Sequence, residues 1–373
     1  MTQTKKTRKR IAIFISSMLG GGAQRGILKV ARGIADRGHQ VDLVLAKAIG
    51  PYLPEVPAHV NIVDLKAFSV STSIPALVRY MRQQQPDAML SALNYVNVTA
   101  IIARRLARGR FPLIVNEQNT ASISMHKFLR RRGRMFVPLL VKRFYPWADA
   151  MVGVSKGVSA DLANYLGLPT DAVHVIHNPI ITPEMQEKAH ATLDHPWFAP
   201  DQPPVVLAVG RLQQQKDFPN LLRAFAEVRA HRTARLLILG EGPDRAMLEK
   251  QVADLGLGAD VSLPGFDVNP YAYMARAGVF VLSSGWEGLP SVLIEALYCG
   301  APLVSTDCPS GPQEILEGGA YGRLVPVRDS HALAEGIEAA LAGQVARPPA
   351  HSWRPYQIDT VVDDYLQLLG WQA

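Results

Sequence analysis

Residues 11–38 read IAIFISSMLGGGAQRGILKVARGIADRG, which is a short apolar run, three glycines and an amphipathic helical pattern. Residues 11–16 are predicted to form a buried strand, and residues 23–37 a helix that ends at Gly38. A strand, a glycine-rich turn and a helix in this order are typical of the first repeat of a parallel sheet. This stretch therefore indicates an α/β fold.

The same alternation continues in two blocks along the chain. In the first block, further strands are predicted at residues 41–46, 88–92, 113–116 and 150–154, with helical stretches such as 96–107 between them. In the second block, strands are predicted at 205–209, 236–239, 279–282 and 303–305, and helices near 217–230, 244–255, 291–299, 330–341 and 358–369. The six prolines of residues 179–204 predict an irregular linker. The sequence thus predicts two doubly wound domains, residues 1–178 and 179–354, with ligands in the cleft between them.

Composition narrows the class of protein. Of the 373 residues, 48% are hydrophobic and 19% are charged, which excludes a disordered or fibrous chain. No run approaches 18 apolar residues in length, so no transmembrane helix is predicted. The two cysteines, Cys299 and Cys308, predict neither a disulfide framework nor a zinc site, and they favour a reducing, cytoplasmic location.

Charge is divided unevenly along the chain. The net charge is +7, but residues 1–178 contain 25 Lys and Arg against 9 Asp and Glu, while the remainder contains 14 against 23. A basic half predicts an anionic partner, such as nucleic acid, an anionic membrane surface or a phosphorylated substrate.

Two loops have features of anion-binding sites. Gly20-Gly21-Gly22 would let the backbone approach a ligand at a helix N-terminus, although it is not a dinucleotide motif. The alternative is a plain turn between strand and helix. Arg211 and Lys216 follow the first strand of the second domain, where two cations would suit a diphosphate. The alternative there is a solvated loop in which Asp217 caps the next helix.

Glu287 and Glu295 are separated by eight positions in the stretch EGLPSVLIEA. Pro290 is suited to the first turn of a helix, so the N–H groups beside it can face a ligand. A carboxylate that accepts two hydroxyl hydrogen bonds is suited to the vicinal diols of a sugar or ribose. The alternative is that Glu287 stabilises the helix dipole and Glu295 is a solvated helix residue.

This stretch resembles the E-x7-E motif of the retaining family-4 glycosyltransferases, the glycosyl transferases group 1. The resemblance covers nearly the whole chain, through residues 20–24, 178–179, 210–217, 264–266 and 306–316. The last segment is most similar to members that act on lipopolysaccharide, capsule or polyprenyl-linked oligosaccharides. The resemblance implies the GT-B fold, with two Rossmann-like domains facing across a cleft. It also implies a C-terminal helix, about residues 355–373, that returns to the first, acceptor-binding domain.

The resemblance further implies a role for individual residues. Arg211 and Lys216 would neutralise the donor diphosphate, Glu287 would hold the donor sugar, and Glu295 the nucleotide ribose. The backbone at Gly21, Gly22, Gly288, Leu289, Pro290 and Ser291 would contact phosphate or sugar, and Phe266 would lie beside the base. The sequence has no metal-ligand cluster, so no metal or other cofactor is expected. The nucleotide sugar is a substrate, and uridine diphosphate is the family's commonest leaving group.

The sequence departs from the family at one position of the first domain. Many relatives have a histidine after the strand that here ends in Asn116, and Gln118 stands near that place. An amide can hydrogen-bond a donor hydroxyl but cannot titrate. Glu117 is the nearest titratable substitute, and the alternative is a loop carboxylate that pairs with a neighbouring arginine.

A basic face in the first domain predicts where an anionic acceptor binds. Lys127, Arg130, Arg131 and Arg134 fall at helical spacing on one face, opposite a largely apolar arc. Such a helix would suit an anionic membrane, a polyprenyl diphosphate or a phosphorylated core sugar, and the alternative is a solvated face. We therefore expect peripheral association with the inner face of the cytoplasmic membrane.

The expected activity is that of a retaining hexosyl- or glycosyltransferase. It would move a sugar from a nucleotide sugar, with UDP as the nucleotide, to a bacterial envelope glycan or glycolipid. One alternative is a sugar-nucleotide epimerase, which also has two Rossmann-like domains but needs titratable groups at the sugar. Another is a non-catalytic nucleic-acid or membrane binder. No aromatic-interleaved basic platform is present, so no nucleic-acid partner is expected.

Overall fold

A computed structural model of the chain describes residues 8–19, 22–124 and 136–371. The chain forms two compact units. The first comprises Met1–Pro179 and Tyr356–Ala373, and the second comprises Ile180–Pro355. Each unit is built around its own parallel β-sheet.

The described strands of the first unit form one parallel sheet. They are β1 (Arg10–Ile15), β2 (Gln40–Leu45), β3 (Asn61–Asp64), β4 (Ala88–Ala92), β5 (Leu113–Glu117), β6 (Ala150–Gly153) and β7 (His174–Val175), in the order β3-β2-β1-β4-β5-β6-β7. Ile11 of β1 pairs with Val41 of β2 and with Ala88 of β4. The strand order therefore reverses between β1 and β4, which opens a crevice at the carboxyl ends of these strands.

The side chains of β1 point alternately into two apolar layers. Ile11, Ile13 and Ile15 belong to one buried cluster, whereas Ala12 and Phe14 belong to another on the opposite face of the sheet. A central strand that is buried on both faces has no polar side. This is why the strand is apolar from Ile11 to Ile15 rather than alternating.

Helices cover both faces of this sheet. They are α1 (Gly22–Asp36), α2 (Ile74–Gln84), α3 (Asn94–Ala107), α4 (Val137–Phe144) and α5 (Lys156–Leu166), with the C-terminal helix α13 (Ile358–Leu368). Helix α13 packs against α1 at Gly33, where an added Cβ would lie 2.5 Å from Val362. Arg37, which directly follows α1, donates to Asp363 at 2.7 Å. The C-terminal helix therefore belongs to the first unit, although the chain reaches it last.

The second unit repeats the plan with a smaller sheet. Its strands are β8 (Val205–Val209), β9 (Arg235–Leu239), β10 (Val261–Gly265), β11 (Val279–Leu282), β12 (Leu303–Thr306) and β13 (Arg323–Val325), in the order β10-β9-β8-β11-β12-β13. Its helices are α6 (Glu184–His190), α7 (Phe218–His231), α8 (Arg245–Asp254), α9 (Pro270–Met274), α10 (Ser291–Tyr298), α11 (Pro312–Ile315) and α12 (Ser330–Leu341). The order reverses between β8 and β11. The predicted α/β class, with two Rossmann-like sheets, is confirmed.

The prediction of an irregular linker at residues 179–204 is wrong in part. Helix α6 lies inside it and buries Met185 and Ala189. Arg276 donates to the carbonyl oxygens of Ala189 and Ala191 at 3.2 and 2.9 Å, which satisfies the end of the helix. The prolines flank residues 184–190 rather than interrupt them, so their number does not prevent a helix there.

Candidate active site

The candidate site of the second unit lies at the carboxyl edge of its sheet, where the strand order reverses. Strand β8 leads into Gly210, and β11 leads into Ser283 and Ser284. Glu287 follows three residues later and is only 7% exposed. A carboxylate buried this deeply needs hydrogen-bond donors, because an unpaired buried charge is strongly destabilising.

Both oxygens of the Glu287 carboxylate accept hydrogen bonds. Lys216 Nζ lies 2.7 Å from Oε1, and Ser284 Oγ donates to the same oxygen at 2.6 Å. Gln215 Nε2 donates to Oε2 at 3.1 Å. These bonds to an ionised acceptor fix the plane of the carboxylate. The structure thus unites Lys216 with Glu287 and adds two residues, Gln215 and Ser284, that the sequence reasoning missed.

The loops that follow β8 and β11 are joined by further hydrogen bonds. Gln215 Nε2 also donates to the carbonyl oxygen of Trp286 at 2.9 Å, and the N–H of Gly285 donates to the carbonyl oxygen of Gln215 at 2.9 Å. Ser283 Oγ donates to the carbonyl oxygen of Lys216 at 2.7 Å. The position of Lys216 relative to Glu287 is therefore set by the backbone as well as by the ion pair.

Local backbone geometry explains how Lys216 reaches Glu287. Its aliphatic stem packs over Gly210, where an added Cβ would lie 3.1 Å from Lys216 Cε. The next residue, Asp217, has φ +46°, a left-handed conformation that aspartate tolerates better than most residues. Asp217 is the N-cap of α7 but makes no side-chain cap hydrogen bond, so the capping role considered for it is wrong.

Arg211 differs from Lys216 in its surroundings. Its side chain is exposed, and within the described ranges it has no hydrogen-bond or ion-pair partner. One of the two predicted cations is thus committed to Glu287, and the other is open to solvent. An exposed guanidinium at the carboxyl edge of the sheet can form two parallel hydrogen bonds to a phosphate.

Helix α10 begins directly beyond Glu287. Pro290 is its N-cap, and the helix starts at Ser291, where the sequence predicts it. The N–H groups of Leu293 and Ile294 donate to the Pro290 carbonyl oxygen at 3.0 and 3.4 Å. The N–H group of Ser291 precedes these bonds and has no acceptor inside the helix, an arrangement that favours anions. Glu295 lies on the second turn and is partly buried.

A third loop, which follows β12, supports the start of α10. The N–H of Glu287 donates to the Pro309 carbonyl oxygen at 3.3 Å. Gly311 has φ +99°, and an added Cβ there would lie 2.4 Å from Pro290 Cδ. Cys308 is buried beside this network, and burial, followed by the charge of Glu287, raises the pKa of its thiol to about 12. The thiol is therefore a neutral packing group rather than a nucleophile.

The remaining predicted contact residues lie at the ends of elements. Gly22 is the first residue of α1, and Phe266, which directly follows β10, is 72% exposed. Gly288 is buried and Leu289 is partly buried. Gly21 and the basic face, Lys127, Arg130, Arg131 and Arg134, lie outside the described residues.

Gln118 follows β5 in the first unit and belongs to a network of neutral amides. Its Oε1 accepts from Asn178 Nδ2 at 2.7 Å, and its Nε2 donates to Asn178 Oδ1 at 3.3 Å and to Asn116 Oδ1. Asn116 Nδ2 donates to the hydroxyl of Tyr365, on α13, at 2.8 Å. Gly26 of α1 lies against Asn178, with room for only a hydrogen: an added Cβ would lie 2.9 Å from its Oδ1. The orientation of the Gln118 amide is thus determined by its neighbours.

Glu117, the alternative titratable residue, points into a different environment. It is 1% exposed and accepts hydrogen bonds from the hydroxyl of Tyr145 and, at 3.4 Å, from Asn97 Nδ2. The interpretation as a loop carboxylate paired with an arginine is therefore wrong. Burial raises the pKa of Glu117 to about 7, although the hydrogen bonds from Tyr145 and Asn97 oppose the shift.

Two kinds of feature are absent from the described residues. No three His, Cys, Asp or Glu side chains in them are grouped so that they could hold a metal ion. No helix among them combines the length and the apolar character that a membrane span requires.

Known families match both units. The family described as "Glycosyltransferase Family 4" matches residues 20–183, and "Glycosyl transferases group 1" matches residues 191–358. One similar relative is the N-acetylgalactosamine-N,N'-diacetylbacillosaminyl-diphospho-undecaprenol 4-alpha-N-acetylgalactosaminyltransferase of Campylobacter jejuni, 29% identical over 89% of this chain and 90% of the relative. Another is the lipopolysaccharide core biosynthesis glycosyltransferase LpsE of Rhizobium meliloti, which is 27% identical over 94% of this chain and 96% of the relative.

Solved structures share the fold. Anabaena Alr3699/HepE in complex with UDP and glucose has a TM-score of 0.75 at 20% identity, covering 97% of this chain and 100% of that one. The apo lipopolysaccharide outer core galactosyltransferase WaaB has a TM-score of 0.74 at 17% identity, covering 97% and 99%. The paired parallel sheets, the motif around Glu287 and the two family matches agree, and the chain belongs to the family-4 glycosyltransferases, the glycosyl transferases group 1.

Proposed function

We propose that the protein is a retaining glycosyltransferase that uses a UDP-sugar and no metal cofactor. Its acceptor would be an anionic glycolipid or glycan of the bacterial envelope: lipopolysaccharide, capsule or a polyprenyl-diphosphate-linked oligosaccharide. The observation that carries the proposal is the buried Glu287 carboxylate, held by Lys216, Gln215 and Ser284 beside the N-terminus of α10.

The proposed reaction develops negative charge on the diphosphate, beside groups of the second unit that can stabilise it. The bond between the anomeric carbon and the diphosphate oxygen breaks, and its electron pair leaves with the diphosphate. A bond forms between the anomeric carbon and an acceptor hydroxyl, whose proton passes to the departing diphosphate. Arg211 and Lys216 would neutralise the charge that develops, aided by the N–H groups at the start of α10. Glu287 would hold the hydroxyls of the donor sugar, and Glu295 the ribose.

The proposed partners are consistent with the names of relatives and with charge. Alr3699/HepE was solved with UDP and glucose, and the Campylobacter relative is named for an undecaprenyl diphosphate acceptor. The first unit would bind the acceptor, since the sequence up to residue 178 has 25 Lys and Arg against 9 acidic residues. Lys127, Arg130, Arg131 and Arg134 would hold it at the inner face of the cytoplasmic membrane.

The test is sugar transfer from labelled UDP-sugars to lipid extracts of bacterial envelopes. We expect one donor to be used, and NMR of the product to show the same anomeric configuration as in the donor. Glu287→Gln should abolish transfer, whereas Glu241→Gln should not, because Glu241 is exposed and paired with Arg245 at 2.6 Å. Inversion at the anomeric carbon would contradict the retaining mechanism. Conversion of the donor without any acceptor would indicate the epimerase instead.

A further inference from the structure

An apolar groove of about 660 Å³ opens at the carboxyl edge of the first unit's sheet. It is lined by residues that follow β1, β2 and β3, and by residues of α2, α3 and α4. The groove therefore lies next to the reversal of strand order between β1 and β4, where α/β sheets bind their ligands. Its volume is within the range of small-molecule sites, roughly 300 to 1,000 Å³.

Large apolar side chains around this groove face solvent. Phe68 is 96% exposed, Phe136 is 64% exposed and Leu19 is 62% exposed. Val98 and Ile102 of α3 form part of its wall. Exposed apolar surface on this scale costs free energy in water, at roughly 25 cal/mol per Å², and a contiguous patch of it marks a binding surface.

The charged side chain that lines the groove is a cation. Lys47, which is exposed, is the only charged residue among the described residues that line it, and no carboxylate is among them. The rest of the lining is apolar or hydroxyl-bearing. A cation at the edge of an apolar groove complements an amphiphile with an anionic head and an apolar chain.

We propose that this groove binds the apolar chain of an isoprenoid diphosphate, which is the lipid part of the acceptor. The inference rests on the proposed function, because a polyprenyl-linked acceptor supplies such a chain. Part of the chain would lie against Phe68 and Phe136, and Lys47 would face the diphosphate. The groove would thereby bind the lipid independently of the sugar that is to be extended.

The test measures binding of three diphosphates of increasing chain length to the full-length protein. Dimethylallyl, geranyl and farnesyl diphosphate are titrated by calorimetry below their micelle concentrations, with inorganic pyrophosphate as the reference. We expect affinity to rise by on the order of tenfold for each added isoprene unit, since each one buries further methylene and methyl groups. Pyrophosphate should bind weakest.

Two variants and a matched control assign the effect to the groove. Phe68→Ser and Phe136→Ser should each lower the affinity for farnesyl diphosphate by roughly tenfold. The affinity for dimethylallyl diphosphate should stay nearly unchanged. The side chain of Phe68 is almost fully exposed, so its loss should not unfold the protein. Leu106→Ser is the control, because Leu106 is 54% exposed in the same unit but does not line the groove.

Three outcomes would overturn the assignment. The first is equal affinity for all three diphosphates. The second is that affinity still rises with chain length in both variants while the protein no longer associates with itself. This result would assign the groove to contact with a second copy of the chain. The third is that affinity still rises with chain length in both variants while binding to phosphatidylglycerol vesicles is lost. This result would assign the groove to contact with a bilayer. Glu287→Ala should keep the chain-length dependence, so absence of sugar transfer and absence of chain binding are separate results.

Discussion

The carboxyl edges of the two sheets hold polar networks of different kinds. After β5 of the first unit, Gln118 and Asn178 exchange hydrogen bonds between neutral amides. After β8 and β11 of the second unit, Lys216 and Glu287 form an ion pair at 2.7 Å. Net charge along the sequence would suggest the reverse, because residues 1–178 are strongly basic and the remainder is acidic. If the second unit neutralises a diphosphate, as proposed, it does so through local donors and not through the charge of the whole unit.

The largest expected effect tests the charged network. We expect Lys216→Met to reduce sugar transfer by roughly 10²- to 10³-fold, because methionine keeps the apolar stem but cannot neutralise the leaving group. Initial rates and a UDP titration measure the change. Lys250→Met is the control, since Lys250 pairs with Asp254 at 2.6 Å on the exposed surface. A rate for Lys216→Met near that of the unchanged protein would contradict the hypothesis that the two sheet edges differ in their ability to neutralise the leaving group.

The second effect concerns the carboxylate behind the neutral network. Folding raises the pKa of Glu117 from 4.5 to about 7 because the group is buried. The folded state thus binds the proton more tightly than the unfolded state does. The protonated Glu117 carboxyl therefore contributes fully to the free energy of unfolding below pH 4.5. This contribution is lost as pH rises to about 7, by on the order of 3 kcal/mol.

The measurement is urea unfolding across this pH range. Glu117→Gln should lack the loss of stability between pH 4.5 and 7, whereas Glu55→Gln, on the surface of the same unit, should retain it. Identical pH dependence in the unchanged protein and in Glu117→Gln would contradict the assignment.

The third effect would make part of the charged network repulsive. In Gln215→Glu, a carboxylate replaces the amide that donates to Glu287 Oε2 at 3.1 Å. We expect transfer to fall about tenfold at pH 8 and to recover in acid, as the two carboxylates share a proton. The pH profile of the rate is the measurement. Gln214→Glu adds the same charge on an exposed neighbour and should not change the profile.

The smallest effect tests the neutral network. Asn178→Ala removes both hydrogen bonds between Asn178 and Gln118, and we expect a loss of about 1 kcal/mol in the stability of the first unit. The Michaelis constant for the donor should rise by a small factor, because the Gln118 amide is then oriented only by its hydrogen bond to Asn116. Asn61→Ala, which loses a bond to Asp42 at 3.0 Å, should affect stability alone. A donor affinity that both variants change equally would argue against a role for the amide pair.

The fold was accessible from sequence because its signal is periodic. Central strands such as β8, and β1 from Ile11 onwards, are continuous apolar runs, and the helices between them have an apolar face. Short edge strands lack this signal. Strand β3 has four residues that are mostly exposed, and β10 contains Pro264, so the sequence predicts neither. Helix α6 was hidden because prolines surround it.

The sequence predicts site residues only where they belong to a recognisable motif. Glu287 and Lys216 stand in recognisable segments, but their direct pairing depends on two loops that are 71 positions apart. Gln215 and Ser284 have ordinary polar side chains, and their donor roles follow from the turn at Asp217 and from the end of β11. Likewise, Asn178 and Gln118 become partners only through the fold of the first unit.

The position of α13 has a consequence for biosynthesis. A ribosome releases residues 1–179 long before Val362 and Tyr365, yet these two side chains complete the cluster that contains Ile27 and Ile34 of α1. During translation of the second unit, the nascent first unit therefore has an uncovered apolar surface. The second unit, which is continuous in sequence, can reach its native state first. A chain that ends before residue 358 would lack the eleven-residue helix that covers Ile27 and Ile34, so we expect its first unit to be less stable.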